Sequence, residues 1–508
     1  MQFIDDFLNK ITMYKLVLYS LVFLVLVAFT TTFIDTKAFP FSSIELLYSV
    51  VTFVFIAFVT NKIFSWAFDA PTNVESVYIT AFILVLILDP KTASDSISYL
   101  IGVCLIAALS MVSKYILAIK RKHIFNPVAI AVVIATYTIN ESASWWIGTS
   151  HMTPFVFIVG FLIVRKIRRS DMVLSFVGAA FLTTIIAGFI KGTSFNPSVL
   201  YTLIAQTINQ TLFLAVFMLT EPLTTPPTRG LRIIYGSIVG LLLIPTLHLA
   251  PEVALVLGNI FSYIVSPKDK LLLALSEKIR LATDTYEFSF PKPKSFVFTP
   301  GQYMEFTLPH RDPDGRGNRR YFTIASSPTE NSIKLGLKFY PEPSSFKNKL
   351  LAMAPGEIVT ASQCAGDFVL PKDTTKKLVF IAGGIGVTPF RSMIKYCLDR
   401  GEKRDIVILY SNRNSNDIAY REIFDEAKRQ LGIETTYMLT DKGQVATDSY
   451  TRLGFLDGTI IEKEIPDYNE RTFYISGPHS MVTLFEKMLH DLGVSKNKIK
   501  TDFFPGFA

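Results

Sequence analysis

The residues best suited to chemistry form a glycine-rich turn in the last third of the chain. Four apolar residues, 378–381, predict a strand that runs directly into the sequence A-G-G-I-G-V-T-P. Gly383, Gly384 and Gly386 therefore lie where a strand meets the start of a helix. Glycine lets backbone N–H groups approach a pyrophosphate closely, and a helix N-terminus favours the negative charge. The pattern predicts a dinucleotide site, although a glycine-rich turn alone is weak support.

A second set of polar and aromatic residues precedes this turn. The chain reads P-G-Q-Y at 300–303 and R-Y-F-T-I-A-S at 320–326, and a serine pair follows at Ser344 and Ser345. A guanidinium fork suits paired phosphate oxygens, and a flat ring suits the face of a flavin. The residues alone leave a second interpretation open, in which an ordinary strand carries an exposed arginine.

These motifs resemble the ferredoxin-NADP reductase superfamily. In that family the arginine of an R-x-[YF]-[ST] strand meets the FAD pyrophosphate, the aromatic ring packs on the isoalloxazine, and the hydroxyl lies near flavin N5. The resemblance implies these roles for Arg320, Phe322 and Thr323, with Ser345 as a further pyrophosphate ligand. It also implies an antiparallel β-barrel for FAD over residues 266–372.

The later motifs extend the resemblance to an α/β domain that binds NAD(P) over residues 373–508, where strands alternate with amphipathic helices. Ser476 stands where the family usually has a cysteine beside nicotinamide C4, so Ser476 and Thr323 are the predicted catalytic residues. Phe507 is expected to shield the flavin. The resemblance implies further contacts with the nucleotide from Thr388, Pro389, Ser411, Arg413, Gly477, Pro478 and Met481.

The chemistry implied is hydride transfer from NADH or NADPH to FAD, whose flavin can then pass on electrons singly. Ser411 and Arg413 could bind a 2′-phosphate, but the neighbouring Asn412 leaves the choice between NADH and NADPH open. The cysteines, Cys104 and the pair Cys364 and Cys397, form no C-x-x-C motif, which favours buried packing residues over redox thiols.

Composition divides the 508 residues into two unlike parts. Residues 1–265 carry far fewer charged side chains than residues 266–508, which have the composition of a soluble protein. This division excludes a single globular domain, a fibrous chain and a disulfide scaffold. The net charge of +8 does not indicate a nucleic-acid partner, because 42 acidic residues are interspersed with 50 basic ones.

The first part predicts a polytopic α-helical membrane domain of about ten spans. Several of the apolar runs are shorter than the roughly 20 residues that a simple span needs, so tilted, broken or re-entrant segments are expected. The runs are 15–34, 44–59, 74–88, 97–119, 127–139, 153–164, 172–190, 199–219, 233–248 and 253–265.

Basic residues in the loops between these runs predict the orientation. Short loops rich in Lys and Arg stay in the cytoplasm, and the basic clusters at 120–122, 165–169, 229–232 and 268–270 fall in alternate loops. The predicted topology is a multi-pass protein of the cell (inner) membrane with both termini in the cytoplasm. The acidic residues before the first run, and the missing cleavage site after it, favour an uncleaved anchor over a signal peptide.

The membrane part resembles the flavin-carrying B subunit of the sodium-pumping NADH:quinone reductase and the related D subunit of the Rnf complex. The matching stretches are 75–90, I-F-N-P-V-A at 124–129, and T-E-P-L-T-T-P-P-T-R-G at 220–230. Pro and polar residues that merely interrupt helices are the alternative. The resemblance suggests FMN or riboflavin bound noncovalently near Asn126 and Thr224.

Covalent flavin attachment is not carried over from that family. Its S-G-A-T motif is absent from this sequence, and the nearest hydroxyls after a glycine are those of Thr149 and Thr193. Paired axial histidines for haem are not predicted either, because the histidines of this part, His123, His151 and His248, fall in loops or at the end of a run. A haem-type transmembrane ferric reductase is therefore a minor alternative.

The leading hypothesis is an integral-membrane, NAD(P)H-dependent flavin oxidoreductase. Electrons would pass from cytoplasmic FAD into or across the membrane, to a quinone or to an acceptor on the outer face. A redox-driven Na⁺ or H⁺ transporter is the alternative, motivated by Glu221 at the end of a span, where an ionisable group is costly. An interfacial carboxylate is the plain interpretation of Glu221. Partner subunits, as in the complexes that the chain resembles, are compatible with either function.

Overall fold

The computed structural model divides into two compact units, Met1–Lys268 and Asp269–Ala508. The residues it describes are 4, 7–8, 11–68, 74–92, 97–119, 122–190, 192, 197–244, 247–266, 270–311, 313–314, 317–441, 443–446 and 449–502.

The first unit is helical, and each of the ten apolar runs is helical over most of its length. A π-helical turn, Leu214–Met218, continues the eighth helix, and a short ladder of β1 (Ala118–Ile119) and β2 (Lys122–His123) precedes the fifth. The helices are α1 Met13–Ile34, α2 Ser43–Ala67, α3 Val74–Ile87, α4 Ile97–Ile116, α5 Pro127–Ile139, α6 Thr153–Ile167, α7 Ser170–Ile190, α8 Pro197–Phe213, α9 Arg229–Leu242 and α10 Pro251–Val265.

The structure does not confirm ten full spans. Within the described residues, four helices (α1, α2, α4 and α7) are long and apolar enough to cross a membrane. A bent pair, Tyr201–Asn209 with Thr211–Met218, has the composition of a broken span or a re-entrant loop and would be a fifth if it crosses as one span. A helix rises 1.5 Å per residue, so the 14 residues of α3 extend only about 21 Å, against about 30 Å of bilayer core. Proline and polar residues divide the other runs into segments that are too short for a simple span.

Local sequence explains where several helices begin. Ser42 and Glu45 form a reciprocal capping box at the start of α2. Asn126 caps α5 and Pro127 follows it, while Pro251 begins α10. The Asn-Pro pair that sequence analysis identified as a helix break is therefore the start of α5.

Two glycines let α9 approach α7 closely. A Cβ on Gly236 would stand 2.5 Å from the Met172 carbonyl oxygen, and one on Gly240 would stand 2.4 Å from that of Phe176. Glycines four residues apart lie on one face of a helix, and such pairs allow backbones to pack together in membranes. Any larger residue at either position would force the two helices apart.

The first half of the second unit contains seven antiparallel strands in two sheets. One sheet has the order β3-β9-β6-β7 and the other the order β4-β5-β8. Large apolar side chains from both sheets, including Phe288, Phe306 and Leu335, form one core. The elements are β3 Leu271–Ala274, β4 Glu277–Ala282, β5 Thr285–Pro291, β6 Tyr303–Thr307, β7 Arg319–Thr323, β8 Ser332–Lys338, α11 Ser345–Ala352 and β9 Ile358–Ala365.

These sheets correct the prediction of a closed barrel. The ladder between β6 and β9 shifts register at Tyr303/Glu305, and the ladder between β4 and β5 shifts at Arg280/Ala282. Such irregularities bend strands and interrupt pairing. In the described residues the strands are antiparallel, as predicted, but their hydrogen bonding ends at the edge of each sheet.

The second half of the unit is a parallel six-stranded sheet in the order β13-β12-β11-β10-β14-β15. Every residue of β10 is buried, which explains its unbroken apolar sequence in the centre of the sheet. The elements are β10 Leu378–Gly383, α12 Thr388–Arg400, β11 Ile406–Asn412, α13 Arg421–Leu431, β12 Glu434–Leu439, β13 Thr451–Leu453, α14 Gly458–Glu464, β14 Thr472–Ser476, α15 His479–Asp491 and β15 Ile499–Asp502.

Candidate functional site

The motifs predicted to bind the nucleotide meet at one edge of the parallel sheet. Gly383 at the end of β10 is the register partner of Ser411 on β11, and Ala382 is the partner of Ser476 on β14. From β10 the chain proceeds to β11 on one side and later returns to β14 on the other side. Ligands of open α/β sheets bind at such a reversal, outside the carboxyl ends of the strands.

Glycines bring the turn after β10 close to the turn after β14. A Cβ on Gly383 would stand 2.3 Å from the Met481 sulfur, and one on Gly386 would stand 2.5 Å from the Ser476 carbonyl oxygen. A Cβ on Gly477 would also meet Met481, at 2.5 Å. These positions exclude larger residues because the two turns are in contact.

Gly384 has a different role from its neighbours. Its φ is +52°, a left-handed conformation that side chains adopt at a cost, and a Cβ there would meet no atom within 4 Å. The open space beside Gly384 leaves the backbone free to approach a ligand. This geometry fits a pyrophosphate at the turn.

Helix α12 starts directly after this turn. Pro389 occupies its first turn, where the missing N–H costs no hydrogen bond. The Thr388 hydroxyl donates to the Ile385 carbonyl oxygen at 3.2 Å and so steadies the turn. The N-terminus of α12 thus adjoins Gly384 and Gly386, as the predicted phosphate site requires.

The other predicted nucleotide contacts differ in exposure. Ser476 is buried and Ser411 is half-buried, whereas Arg413 and Pro478 are exposed beyond the strand ends. An exposed guanidinium at this edge is accessible to a ligand's phosphate. Phe507 lies outside the described residues.

In the candidate flavin site, Arg320 is buried on β7, with 2% of its surface exposed. Its guanidinium donates to the carbonyl oxygens of Gly317 and Arg319 at 2.9 and 2.7 Å, and it pairs with Asp314 at 3.4 Å. This burial contradicts the interpretation of an ordinary exposed arginine. A phosphate at this guanidinium would have to share it with the Asp314 carboxylate.

Ser345 belongs to the same cluster as Arg320. The Asp314 backbone N–H donates to the Ser345 hydroxyl at 2.9 Å, and the Ser345 N–H donates to the Asp314 carboxylate at 3.0 Å. A ring nitrogen of His310 also lies 2.9 Å from that hydroxyl. The two residues predicted to meet one pyrophosphate are therefore connected through Asp314.

Phe322 lies on the same face of β7 as Arg320, two residues along the strand. The Phe346 ring lies 5.8 Å from that of Phe322 and 5.3 Å from the Arg320 guanidinium carbon. Thr323, the last residue of the strand, is buried. The strand thus presents the charged group and the ring together, as the predicted flavin contacts require.

The cysteines of the second unit are packing residues. Burial raises the pKa of the Cys364 thiol to about 12, and burial with the nearby Glu402 carboxylate raises that of Cys397 to about 12. A neutral thiol is neither a nucleophile nor a metal ligand. The described environment therefore fits the interpretation as buried packing residues.

In the membrane unit, Asn126 and Thr224 converge on Glu221. The Asn126 amide donates to the Glu221 carboxylate at 3.0 Å, and the Thr224 hydroxyl donates to the same oxygen at 3.2 Å. The Asn126 side-chain oxygen accepts from the N–H groups of Val128 and Ala129 at 3.1 Å each. A flavin contact at Asn126 would have to use the second N–H of the amide or replace one of these bonds.

Helix α10 extends this network. Its Asn259 accepts from the Asn126 backbone N–H at 2.8 Å and donates to the Tyr235 hydroxyl at 2.9 Å. Buried polar residues recur along one face of α10, at Glu252, Asn259 and Ser262. The network thus joins the two proline-marked breaks to α9 and α10.

Neither residue considered for covalent flavin gains support. The hydroxyl oxygen of Thr149 is buried within the protein without a hydrogen-bond partner. Thr193 lies outside the described residues. An enclosed hydroxyl is poorly accessible for a phosphoester.

Two family models match the chain. The model described as the oxidoreductase NAD-binding domain matches residues 380–487, and that of the NQR2, RnfD and RnfE family matches residues 146–262. Both resemblances are confirmed. The oxidoreductase match includes the glycine turn, β11 and the S-G-P segment, and it confirms the predicted oxidoreductase class. The second match includes the T-E-P segment and lies wholly within the helical unit.

Individual relatives are similar to part of the chain. A flavohemoprotein of Bacillus thuringiensis is 27% identical over 215 residues, 41% of this chain and 53% of the relative. The F subunit of the Na(+)-translocating NADH-quinone reductase of Neisseria meningitidis is 32% identical over 202 residues, 37% of this chain and 49% of the relative. The chain spans about half the length of these curated relatives. A crystal structure of an Amycolatopsis cytochrome P450 reductase has a TM-score of 0.41 at 23% identity, covering 46% of this chain and 69% of that one.

Sequence reasoning missed several residues that contact the predicted ones. Asp314 holds both Arg320 and Ser345, and its only signal is the turn-forming P-D-G sequence before β7. Arg391 is a buried charge on α12, and the sequence shows it only as one basic residue of an amphipathic helix. Asn259 had no signal beyond an amide in an apolar run.

Proposed function

We propose that the chain is an integral-membrane, NAD(P)H-dependent flavin oxidoreductase. The proposal rests on the single edge at which Gly383, Ser411 and Ser476 meet, beside the start of α12. The electrons pass into or across the membrane, to a quinone or to an acceptor on the outer face. The relationship to a component of an NADH-quinone reductase supports a quinone as acceptor.

The proposed nucleotide site uses the backbone at Gly384 and Gly386 and the N-terminus of α12 for the pyrophosphate. Ser476 lies beside the nicotinamide, and Arg413 is available for the adenosine end. The glycine contacts and the open space at Gly384 support this assignment. Either NADH or NADPH fits these groups.

The proposed FAD site is built on β7. Arg320 and Ser345 hold the pyrophosphate, while Phe322 and Thr323 border the isoalloxazine. FAD, when bound, supplies the hydride acceptor and releases electrons singly. Support comes from the cluster that joins Arg320 to Ser345 and from the shared Phe346 contact.

One experiment tests this function. The full-length protein, purified in detergent, should contain FAD, and its flavin absorbance should bleach when NADH or NADPH is added without oxygen. Oxidation of the nucleotide should then continue when a soluble quinone is supplied. A protein that binds flavin but is bleached by neither nucleotide would contradict the proposal.

In the proposed orientation the protein crosses a bacterial-type inner membrane several times, and both termini face the cytoplasm. Two contacts within the first unit join segments that are all proposed to face the cytoplasm. The Lys166 ammonium donates to the Leu8 carbonyl oxygen at 2.7 Å, and Arg232 pairs with Asp171 at 3.1 Å, which joins the basic loops. Alkaline phosphatase fused at Lys37 should be active, whereas fusions at Lys166 should not be.

We propose FMN or riboflavin as the carrier in the membrane unit. The family match supports a flavin, and the proline-marked breaks at Asn126 and Thr224 supply polar groups between helices. Two flavins per chain, with one lost from the Asn126→Leu variant, would support this site. One flavin per chain would favour direct quinone reduction from FAD. If the variant retains two flavins, the second flavin lies elsewhere, and Thr149 and Thr193 are the next candidates for its attachment.

Redox-driven ion movement is the second candidate function. A carboxylate bonded to Asn126 and Thr224, and continued by Asn259 and Tyr235, supports it. Membrane vesicles given NADH should then take up Na⁺ or H⁺, and Glu221→Gln should abolish uptake while flavin bleaching continues. A requirement for partner subunits would appear as an activity that native membranes retain and the purified protein lacks.

A further inference from the structure

Arg391 is a buried charge at the contact between the two halves of the second unit. It lies on α12, three residues after Thr388 and hence on the same face of the helix, with 4% of its surface exposed. Both terminal nitrogens of its guanidinium contact the Glu330 carboxylate, one of them at 3.0 Å. It also donates to the Ala325 carbonyl oxygen at 3.2 Å.

These contacts hold the segment that leaves the candidate flavin strand. Ala325 stands two residues after Thr323, the last residue of β7. Glu330 also accepts from the Ser327 backbone N–H at 2.6 Å, which closes the segment into a compact loop. One side chain thus connects the end of β7 to the first turn of α12.

Neighbouring contacts make this junction rigid. The Ser392 hydroxyl donates to the Ser326 carbonyl oxygen at 2.6 Å, in parallel with the contact from Arg391. On the next strand, a Cβ on Gly336 would stand 2.9 Å from the Thr388 methyl group and 2.6 Å from the Tyr420 hydroxyl. The Arg391 guanidinium lies 5.5 Å from the Tyr420 ring. Strand β8, α12 and the loop after β7 therefore pack without space for adjustment.

A buried ion pair is a poor device for stability alone. The free-energy cost of removing two charges from water offsets most of their mutual attraction. Apolar residues of equal size often stabilise the folded protein as well or better. A bidentate guanidinium fork does, however, fix direction and distance between the two groups it joins. The geometry at Arg391 thus favours a role in alignment.

We infer that Arg391 is a positioning residue for hydride transfer, which holds the flavin strand β7 at a fixed distance from the nucleotide helix α12. The inference rests on the proposed function. Transfer between two bound rings requires close approach of the reacting atoms, and a displacement of about 1 Å can cost about 100-fold in rate. Loosening the Arg391 contact therefore lowers the transfer rate while both binding sites persist.

The chain supplies a matched control in Arg471. This arginine is also buried, at 7% exposure, and bonds to Asp405 and Asp467 at 2.7 Å each and to the Leu378 carbonyl oxygen at 3.3 Å. It lies at the amino end of β10, about 16 Å along the strand from Gly383. Arg471→Lys thus weakens a comparable network far from the junction.

The experiment compares Arg391→Lys, Glu330→Gln and Arg471→Lys in the full-length protein. FAD content, Tm and the Kd for NAD⁺ are measured first, followed by the rate of flavin bleaching with ordinary nucleotide and with nucleotide deuterated at C4. Hydrogen exchange of residues 324–330 is measured in the absence of nucleotide. Arg391→Lys should retain FAD and bind NAD⁺ within about 3-fold of wild type, yet bleach about 10 to 100-fold more slowly.

The expected pattern separates alignment from stability. Exchange at 324–330 should rise in Arg391→Lys and Glu330→Gln but not in Arg471→Lys, and the isotope effect should increase in the first two only. The double variant that combines Arg391→Lys with Glu330→Gln should bleach only slightly more slowly than either single variant. Equal bleaching rates in Arg391→Lys and wild type, or equal losses in Arg391→Lys and Arg471→Lys, would overturn the inference. A wild-type protein that no nucleotide bleaches would instead overturn the proposed function and, with it, the inference.

Discussion

Asn126 and Thr224 donate to the same carboxylate oxygen of Glu221, at 3.0 and 3.2 Å. They belong to the two separate motifs, I-F-N-P and T-E-P, that mark breaks in the helical unit. The carboxylate thus connects these breaks, which explains why polar residues are present between helices that are otherwise apolar. Removing the Glu221 carboxylate would leave the Asn126 amide and the Thr224 hydroxyl without this shared acceptor, in a medium that lacks water.

The first prediction concerns the stability of this network. Glu221→Ala should lower the free energy of unfolding by about 1 to 3 kcal/mol, because the Asn126 amide loses its acceptor. Glu221→Gln keeps an acceptor oxygen at nearly the same place, so it should lower the free energy of unfolding by less. Thermal unfolding in detergent measures both variants. Equal Tm values for the Ala and Gln variants would mean that the hydrogen bonds contribute nothing.

The second prediction concerns FAD binding at Arg320. Arg320→Ala should release FAD, because it removes the guanidinium proposed to hold the pyrophosphate, and the loop held through Gly317 and Asp314 should loosen. Arg280→Ala removes an equal charge from an exposed position on β4 and should keep FAD. Flavin absorbance per chain after gel filtration measures both. Full flavin content in Arg320→Ala would remove this residue from the site.

The third prediction concerns the open space at Gly384. Gly384 and Gly432 both have positive φ, +52° and +73°, and at both a Cβ would meet no atom within 4 Å. Alanine should therefore strain the backbone about equally, by about 1 to 2 kcal/mol. Only Gly384→Ala should raise the KM for NAD(P)H, because its methyl group enters the space proposed for the pyrophosphate. An equal KM in the two variants would make the turn purely structural.

The fourth prediction concerns the thiols of the second unit. With a pKa of about 12 each, Cys364 and Cys397 are almost entirely protonated at pH 8, so iodoacetamide should label them slowly in folded protein and quickly in urea. The stability linked to these raised pKa values is present below about pH 8.5 and is lost as the pH rises towards 12. A Cys104→Ser background restricts the label to these two. Rapid labelling of the folded protein at pH 8 would contradict their burial.

The local features of the molecule were predictable from the sequence. The apolar strand that ends at Gly383 and the proline after the glycine turn adopt the expected local conformation, and each of the ten apolar runs is helical over most of its length. These features depend on neighbouring residues, through backbone sterics, capping and the period of apolar side chains. The change from short strands to strands that alternate with amphipathic helices was predictable for the same reason.

Tertiary structure decided which distant groups meet. The contacts of Asp314 with Ser345, of Glu330 with Arg391, and of Asn126 with Asn259 join residues that no local pattern relates. Packing also decided that the predicted barrel is two sheets and that several apolar runs are short helices. A sequence period reports which face of an element is buried, but the partner on that face depends on how all the elements pack together.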